Sequence, residues 1–380
     1  MPIDLKRTLE FCVAEQSWLV ETTSALARLE SPTSDKTAVD RCGAELITRL
    51  TTIGIDVEPI PQPVAGDHIR ATVGVGPSQL LMLGHFDTVW PVGQIEKMPI
   101  ATESGRLSGP GVYDMKAGIA IAMLAIRALQ AQDGLPERKI TLLMTSDEEC
   151  GSRTSRELVE EEARRSEAVL VLEPSLPSGA LKTGRKGAGE FHLEVGGVAA
   201  HAGIEPDKGA SAIHELARQV VALESIRDSG ISVNVGLVEG GSRPNVVAER
   251  ARCVIDIRVS TAAERTRVEQ ALSRITAGLA GTTVQVSGGF SRPPLERTDA
   301  VVRLYIMARE IASELGHELG EGSTGGGSDG NLTAALGVPT LDGLGAIGAG
   351  AHALHEYVEV AELPWRAALV AGLLDRLDAS

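Results

Sequence analysis

Aromatic residues are scarce in this 380-residue chain, with four Phe, three Tyr and three Trp, which leaves little material for base-stacking platforms or aromatic cages. Cysteine is equally sparse: Cys12, Cys42, Cys150 and Cys253 share no C-x-x-C spacing, so a disulfide scaffold and a cysteine zinc knuckle are excluded. No apolar run approaches a bilayer span, the longest lying around 118–126. The charged start MPIDLKRTLE has no signal-peptide h-region; with the short apolar runs, this predicts a soluble, cytoplasmic protein. Basic residues are outnumbered, 36 against 51 acidic, for a net charge of −15, which argues against a general binder of phosphate backbones. There is no internal repeat, and only the Gly-rich stretch 322–330 is of low complexity. What remains is a chain of ordinary globular composition, 43% apolar and 23% charged. Its length suits two to three domains at about 150 residues each. Its 42 glycines imply many tight turns, so function should sit in polar side chains on loops.

Leu5, Leu9, Val13, Trp18, Leu19 and Leu26 recur at helical spacing behind Asp4, a candidate N-cap, and predict one long helix over 4–29. Short strand-like runs follow at 68–75 and 79–84, the second almost wholly apolar and so a buried central strand. A buried helix is predicted over 115–132, a strand over 139–145, a helix over 154–165 and a strand over 168–172. Such alternation implies an α/β sheet flanked by helices. Between 184 and 291 the order becomes strand (190–195), helix (208–225), strand (231–238), strand (251–259), helix (262–279), strand (283–286), the βαββαβ pattern of a ferredoxin-like unit. Gly184, Gly187 and Gly189 on one side and Gly288, Gly289, Pro293 and Pro294 on the other read as hinges. A helix (298–315), a strand (338–341) and a last helix (363–377) resume the first pattern. The expected fold is therefore α/β, with a mixed-sheet catalytic domain (1–183 and 292–380) interrupted by an inserted ferredoxin-like domain (184–291).

Acids and histidines terminate several of the buried strands. The first runs into Gly84-His85-Phe-Asp87-Thr-Val-Trp-Pro91; neutral imidazole is the commonest metal ligand and a nearby carboxylate can orient it, although a capped turn would look the same. A Gly-rich turn, 109–118, delivers Asp114 to the start of a buried helix, as a ligand or as an N-cap. Strand 139–145 ends in Ser146-Asp147-Glu148-Glu149-Cys150-Gly151-Ser152, where adjacent acids can face a metal and a substrate respectively. Glu173 follows strand 168–172, and Gly348-Ala-Gly-Ala-His352-Ala-Leu-His355 supplies histidines from the far end of the chain. Each signal has a bland reading by itself; so many together point to one mixed His/carboxylate metal site. The Gly-rich stretch lacks a G-K-[ST] ending and no G-x-G-x-x-G follows a first strand, which excludes nucleotide binding.

These motifs, with Glu173-Pro174, Lys182-Thr-Gly-Arg-Lys-Gly187 and Ala200-His-Ala-Gly203, resemble in sequence and order the M20 family of metallopeptidases, and within it the glutamate carboxypeptidase (carboxypeptidase G) branch. The resemblance implies a zinc-peptidase-like catalytic domain and an inserted domain used for dimerisation and as a lid. It implies that His85 and Glu173 hold one Zn2+, Glu149 and His352 a second, with Asp114 bridging them and Asp87 orienting His85. Co2+ or Mn2+ could replace zinc. Two such ions would share a metal-bridging hydroxide and polarise the scissile carbonyl, leaving Glu148 as general base and then acid. His352 is preferred to His355 because the family's ligand lies shortly before a Glu-Tyr-Val-like run, and His355 occupies the place directly before that Glu.

His201 matches the family stretch whose histidine reaches an active site, the partner's in dimers, and would donate to the tetrahedral oxyanion. Asn245 adds a possible donor. Arg258 and Arg292 resemble substrate-binding arginines, whose planar fork suits carboxylates; surface salt bridges are their alternative. Backbone N–H groups near Gly327, with Ser328, would take the substrate's α-carboxylate. The implied activity is hydrolysis of the amide bond to a C-terminal amino acid, glutamate foremost. An N-acyl-amino-acid deacylase (aminoacylase, deacetylase or desuccinylase type) is the near alternative and a non-catalytic amino-acid or peptide binding protein the remote one. The expected partners are a small-molecule substrate and a second copy of the chain, with no nucleic acid and no membrane.

Overall fold

The computed structural model describes residues 3–377, and contacts divide the chain into two compact units. One runs up to Thr183 and takes in Arg297–Thr324 and the chain from Ser328 onward; the other comprises Gly184–Glu296 and Gly325–Gly327. The return lies at Glu296/Arg297, later than Arg292, because buried Leu295 exchanges both backbone hydrogen bonds with Arg185. Gly326 and Gly327 belong to the second unit because their carbonyls accept from Arg185 Nη1 at 3.2 and 3.0 Å.

The first unit is built on a mixed six-stranded sheet in the order Asp56–Ile60, His68–Val73, Lys139–Thr145, Gln79–His85, Ala168–Val171, Thr340–Leu341. The last four are mutually parallel, and the first two are antiparallel additions at one edge. Every residue of Gln79–His85 is buried, as a strand covered on both faces requires. The helix Ala117–Gln130, apolar nearly all round, packs against Leu363–Arg376. At position 118 only glycine fits, since a Cβ would lie 2.1 Å from the Leu172 carbonyl oxygen; the helix thereby seats against the strand that leads into Glu173. A small second sheet joins Ala101–Glu103, Arg106–Ser108, Tyr357–Glu359 and Gly348–Ala349, carrying the 350–356 loop to the 109–116 turn. No helix among the described residues is long and apolar enough to cross a membrane.

Three local features differ from the sequence expectation. The N-terminal helix is two helices, Leu5–Ala14 and Gln16–Arg28, broken at Glu15. Leu5, Cys12, Leu19 and Leu26 are buried while Val13 is exposed; this heptad seam drifts about 20° per heptad on a straight α-helix, and the break lets both segments keep it against the Ala117–Gln130 helix. A further helix, Lys36–Thr52, is capped by Asp35 and buries Ala38, Val39, Cys42, Leu46 and Leu50, a periodicity the sequence carries but the predicted elements omit. The third difference lies in the second unit.

That unit is a four-stranded antiparallel sheet, ordered Ser232–Gly240, Arg250–Val259, Gly187–Gly196, Thr283–Arg292, with helices Ala212–Leu223 and Ala262–Ser273. The arrangement is ferredoxin-like. Phe191, Leu193 and Val195 alternate inward along one strand and Ala251, Cys253, Ile255, Ile257 and Val259 along the next, meeting Leu216, Val268 and Leu272 from the helices. Thr261 and Glu264 form a capping box at the start of the second helix. That helix stops at Ser273 instead of running to 279, because the carboxylate of Glu215 on the other helix accepts the N–H groups of Gly278 at 3.0 Å and Leu279 at 2.8 Å. Glu215 is fully buried, and its Ala variant strands both donors, at an expected cost of about 1–3 kcal/mol. Burial pushes this carboxyl up, but the hydrogen bonds from Gly278, Gln219 and Leu279 prevail and hold it below its ordinary 4.5. The stabilisation is therefore present above pH 4.5 and lost as pH falls through the lower folded-state value. Amide exchange over 275–282, corrected for intrinsic rate, should be faster in Glu215→Ala at pH 7, with the gap closing in acid; equal exchange at pH 7 would remove Glu215 as the anchor.

Candidate functional site

Register brings the chemistry to one edge of the sheet. His85 pairs with Thr145 and Leu83 with Val171, so His85 and Asp87, Glu148 and Glu149, and Glu173 all emerge at the carboxyl ends of adjacent parallel strands, where ligands of α/β proteins bind. Asp114 arrives on the 109–116 turn, in which Gly111 sits at φ 73°. His352 arrives on the 350–356 loop, itself at φ 60°, a left-handed conformation uncommon for non-glycine residues.

His85 is buried, with Nδ1 3.1 Å from the Asp87 carbonyl oxygen and 3.3 Å from Asp87 Oδ1. That leaves Nε2 facing outward, 3.4 Å from Asp114 Oδ1 and 3.4 Å from Glu173 Oε1. The other oxygen of Asp114, Oδ2, lies 3.4 Å from His352 Nε2, which also sits 3.1 and 3.2 Å from the two oxygens of Glu149. Asp114 thus turns one oxygen to each histidine. Asp87 also organises the neighbouring strand end, because its carboxylate accepts the N–H groups of Glu148 at 3.3 Å and Glu149 at 3.2 Å, and the Thr33 hydroxyl at 2.6 Å. Donor atoms of His85, Glu148 and Glu173, and of His85, Asp114 and Glu149, each fall within 4.8 Å of one another.

This donor set fits metal. Four-coordinate zinc with bonds near 2.0–2.1 Å has ligand–ligand edges of about 3.3–3.4 Å, the separation seen at His85–Asp114, His85–Glu173 and His352–Asp114. The electrostatics agree. Burial opposes charging His85, yet Asp114, Asp87 and Glu173 hold its ring well above the usual range. Burial likewise opposes ionising Asp114, but His352 and His85 hold it well below the usual carboxylate range. Burial pushes Glu149 up, against the pull of His352. An array that captures protons on both imidazoles lacks positive charge, and divalent cations would supply it. His355 is exposed; His352 is the histidine that reaches the acids.

The remaining sequence candidates fall as follows. His201 is exposed in the second unit, and its Nδ1 accepts the N–H groups of Gly203 and Ile204, both at 3.1 Å; the ring proton is thereby assigned to Nε2, which is left to donate. The Asn245 carbonyl accepts from Ala202 N–H at 3.0 Å, so His201 and Asn245 lie on neighbouring segments. Arg258 is engaged by Asp256, with Nε–Oδ1 at 2.8 Å and Nη2–Oδ2 at 2.7 Å. Arg292 is buried, and a Cβ at Gly327 would lie 2.8 Å from its Cδ, so the loop passes directly over it. Ser328 departs from the expectation of an available carboxylate binder. It is fully buried, its hydroxyl donates to Asp342 Oδ2 at 2.7 Å and accepts Gly330 N–H at 3.1 Å, and its own N–H goes to Asn331 Oδ1. Two residues outside the sequence candidates join the site: Thr33, through Asp87, and Glu356, under the 109–116 turn. In the sequence, the Glu of the run after His352 is the one signal of the second.

Several known proteins are similar to this chain. Residues 81–376 match the family described as Peptidase family M20/M25/M40. Carboxypeptidase G2 of Pseudomonas sp. is 30% identical over 378 residues, covering 96% of this chain and 90% of that protein. A succinyl-diaminopimelate desuccinylase of Xanthomonas oryzae is 29% identical over 356 residues, covering 88% and 93%. Among solved structures, the aminopeptidase PepT of Bacillus cereus superposes with a TM-score of 0.79 at 23% identity, covering 95% of this chain and 98% of that one. A metallo-carboxypeptidase of Sulfolobus solfataricus gives 0.71 at 18% identity, with coverage of 95% and 98%. At these identities the two structures establish the shared fold.

In the chain stripped of divalent ions, hydrogen bonds to the carboxylates of Asp114 and Glu149 raise the His352 ring from 6.5 to about 10. Because the folded value is the raised one, the stabilisation is complete below pH 6.5 and is lost as pH rises through about 10. The thermal midpoint of EDTA-treated protein should accordingly fall between pH 7 and 10, less steeply in His352→Asn. Parallel profiles for the two proteins would place His352 outside the acid cluster.

Proposed function

This chain belongs to peptidase family M20/M25/M40, and from that premise we propose that it hydrolyses the amide bond to a C-terminal amino acid, with glutamate as the preferred leaving residue. The observation that carries the reading is Asp114, which presents one oxygen to His85 and the other to His352 with Glu148 alongside. In this reading His85 and Glu173 hold one ion, Glu149 and His352 the other, and Asp114 serves both; zinc suits the His/carboxylate donors, and Co2+ or Mn2+ could replace it. Bound there, two such ions would polarise the scissile carbonyl and acidify the attacking water.

The chain's own groups supply the rest. Glu148 takes the proton from the water and passes it to the leaving amine nitrogen. Asp87 keeps the His85 ring turned outward and, through the Glu148 and Glu149 N–H groups, holds base and ligand in one register. His201, with Nε2–H free to donate, stabilises the oxyanion of the tetrahedral intermediate, in a homodimer from the partner chain. Asn245, Arg258, Arg292 and the backbone at Gly327 are assigned to the substrate; engaging Arg258 requires exchange of its contact with Asp256. Four free cysteines, three of them buried, suit a cytoplasmic setting.

Cleavage at the C-terminal residue is supported by the similarity to carboxypeptidase G2, and the glutamate preference by the resemblance of the motifs to the glutamate carboxypeptidase branch. Similarity to succinyl-diaminopimelate desuccinylases favours, as the second reading, removal of an acyl group from an amino acid by the same machinery. The retained base Glu148 weighs against a binding protein without activity.

Assay of the metal-loaded protein against N-acyl amino acids and C-terminal glutamate peptides separates these readings: free glutamate released from the peptides is expected, and turnover confined to N-succinyl or N-acetyl substrates would replace the first reading by the second. Glu148→Gln, which keeps shape and removes basicity, should retain parental metal content while kcat falls by about 10² or more. Turnover within a few-fold of the parent would assign the base elsewhere.

A further inference from the structure

The 109–116 turn has backbone groups it cannot satisfy within itself. Asp114 (φ −114°, ψ 93°) and Met115 (φ −132°, ψ 32°) leave helical geometry immediately before the Ala117–Gln130 helix, so the N–H groups on this stretch need an acceptor from elsewhere. Glu356, 1% exposed, provides it. Its Oε2 accepts from Gly111 N–H at 3.0 Å and Trp90 Nε1–H at 2.9 Å; its Oε1 accepts from Tyr113 N–H at 2.9 Å and Asp114 N–H at 3.1 Å. The Glu356 carbonyl oxygen also accepts Gly109 N–H at 3.3 Å. One residue thus grips the turn from Gly109 to Asp114, while its own chain position follows His352 and its fourth donor lies shortly after His85.

We propose that Glu356 is a positioning residue of the metal centre: by holding the 109–116 turn it sets the place of Asp114 between the two histidines. The proposal rests on the reading of Asp114 as the shared ligand. A carboxylate is suited to this because it only accepts, so all four donors are matched. A glutamine is not, since whichever way its amide is turned the NH2 faces two N–H donors. An aspartate keeps the acceptor character and loses reach by one methylene.

The test compares E356Q, E356D, W90F and D114N with the parent by calorimetric titration of EDTA-treated protein with Co2+, the thermal midpoint of the metal-free form, and kcat and KM at saturating Co2+. E356Q is expected to bind Co2+ about 10–100-fold more weakly, the loss typical of residues that orient metal ligands, with kcat reduced and KM little changed. E356D should recover part of the affinity. W90F, which keeps three of the four donors, should stay within a few-fold of the parent. Parental Co2+ affinity in E356Q, with only the metal-free midpoint lowered, would reduce Glu356 to a purely structural role and overturn the proposal. An equal loss of affinity in W90F would overturn it too, by shifting the effect to the indole. If E356Q does not fold, E356D decides: weakened Co2+ binding supports the proposal and parental binding overturns it. D114N separates the two levels, because parental affinity there defeats the reading of Asp114 itself, whereas weak binding in D114N beside parental binding in E356Q defeats only the role of Glu356.

Discussion

Repulsion between like charges is the constraint around which the first unit is organised. Asp87, Asp114, Glu148, Glu149 and Glu173 gather about two imidazoles at one edge of a sheet. Two unit charges 4 Å apart interact by about 4 kcal/mol at an effective dielectric constant near 20, so these acids cannot share the edge without cations among them. In the bare chain His85 and His352 respond by holding their protons; in the proposed enzyme two divalent ions take over that charge. Proton capture and metal capture are therefore two answers to the same field.

The scaffold keeps the acids from relaxing apart. His85, Glu148, Glu149 and Glu173 leave adjacent parallel strands whose register is set by burial on both faces, and Asp87 closes the arrangement by binding a ring on one side and two backbone N–H groups on the other. Gly118 lets the central helix approach the strand before Glu173. Such sites gain precision from rigid elements and supporting hydrogen bonds. The second unit follows the same logic on a smaller scale: the backbone N–H groups of Gly203 and Ile204 select the tautomer of His201.

The residues that carry the proposed chemistry were legible because they announce themselves locally. A near-continuous apolar run followed at once by His85 and Asp87, or by Glu148 and Glu149, can be read without knowing what lies beside it, and the alternation of strands and helices identified the α/β sheet and the βαββαβ unit in the same way. Where distant segments compete, local pattern is not enough. The break at Glu15 turns on a drift of about 20° per heptad, too small to see in a hydrophobic pattern. The end of the second helix of the ferredoxin-like unit belongs to Glu215, on another helix. Ser328 lies in a Gly-rich stretch that reads as a binding loop, but its hydroxyl is taken by Asp342, and nothing local to Glu356 signals its four donors.

Side-chain type and local periodicity, properties of neighbouring residues, are enough to determine most of the elements that form and which of them end in acids and histidines. Tertiary structure decided which oxygen of Asp114 meets which histidine, how the 350–356 loop brings His352 to Glu149, and which polar groups are spent on the fold. The physical reason is that a buried polar atom must be paired, and its partner is chosen by whichever remote segment the packed core delivers to it.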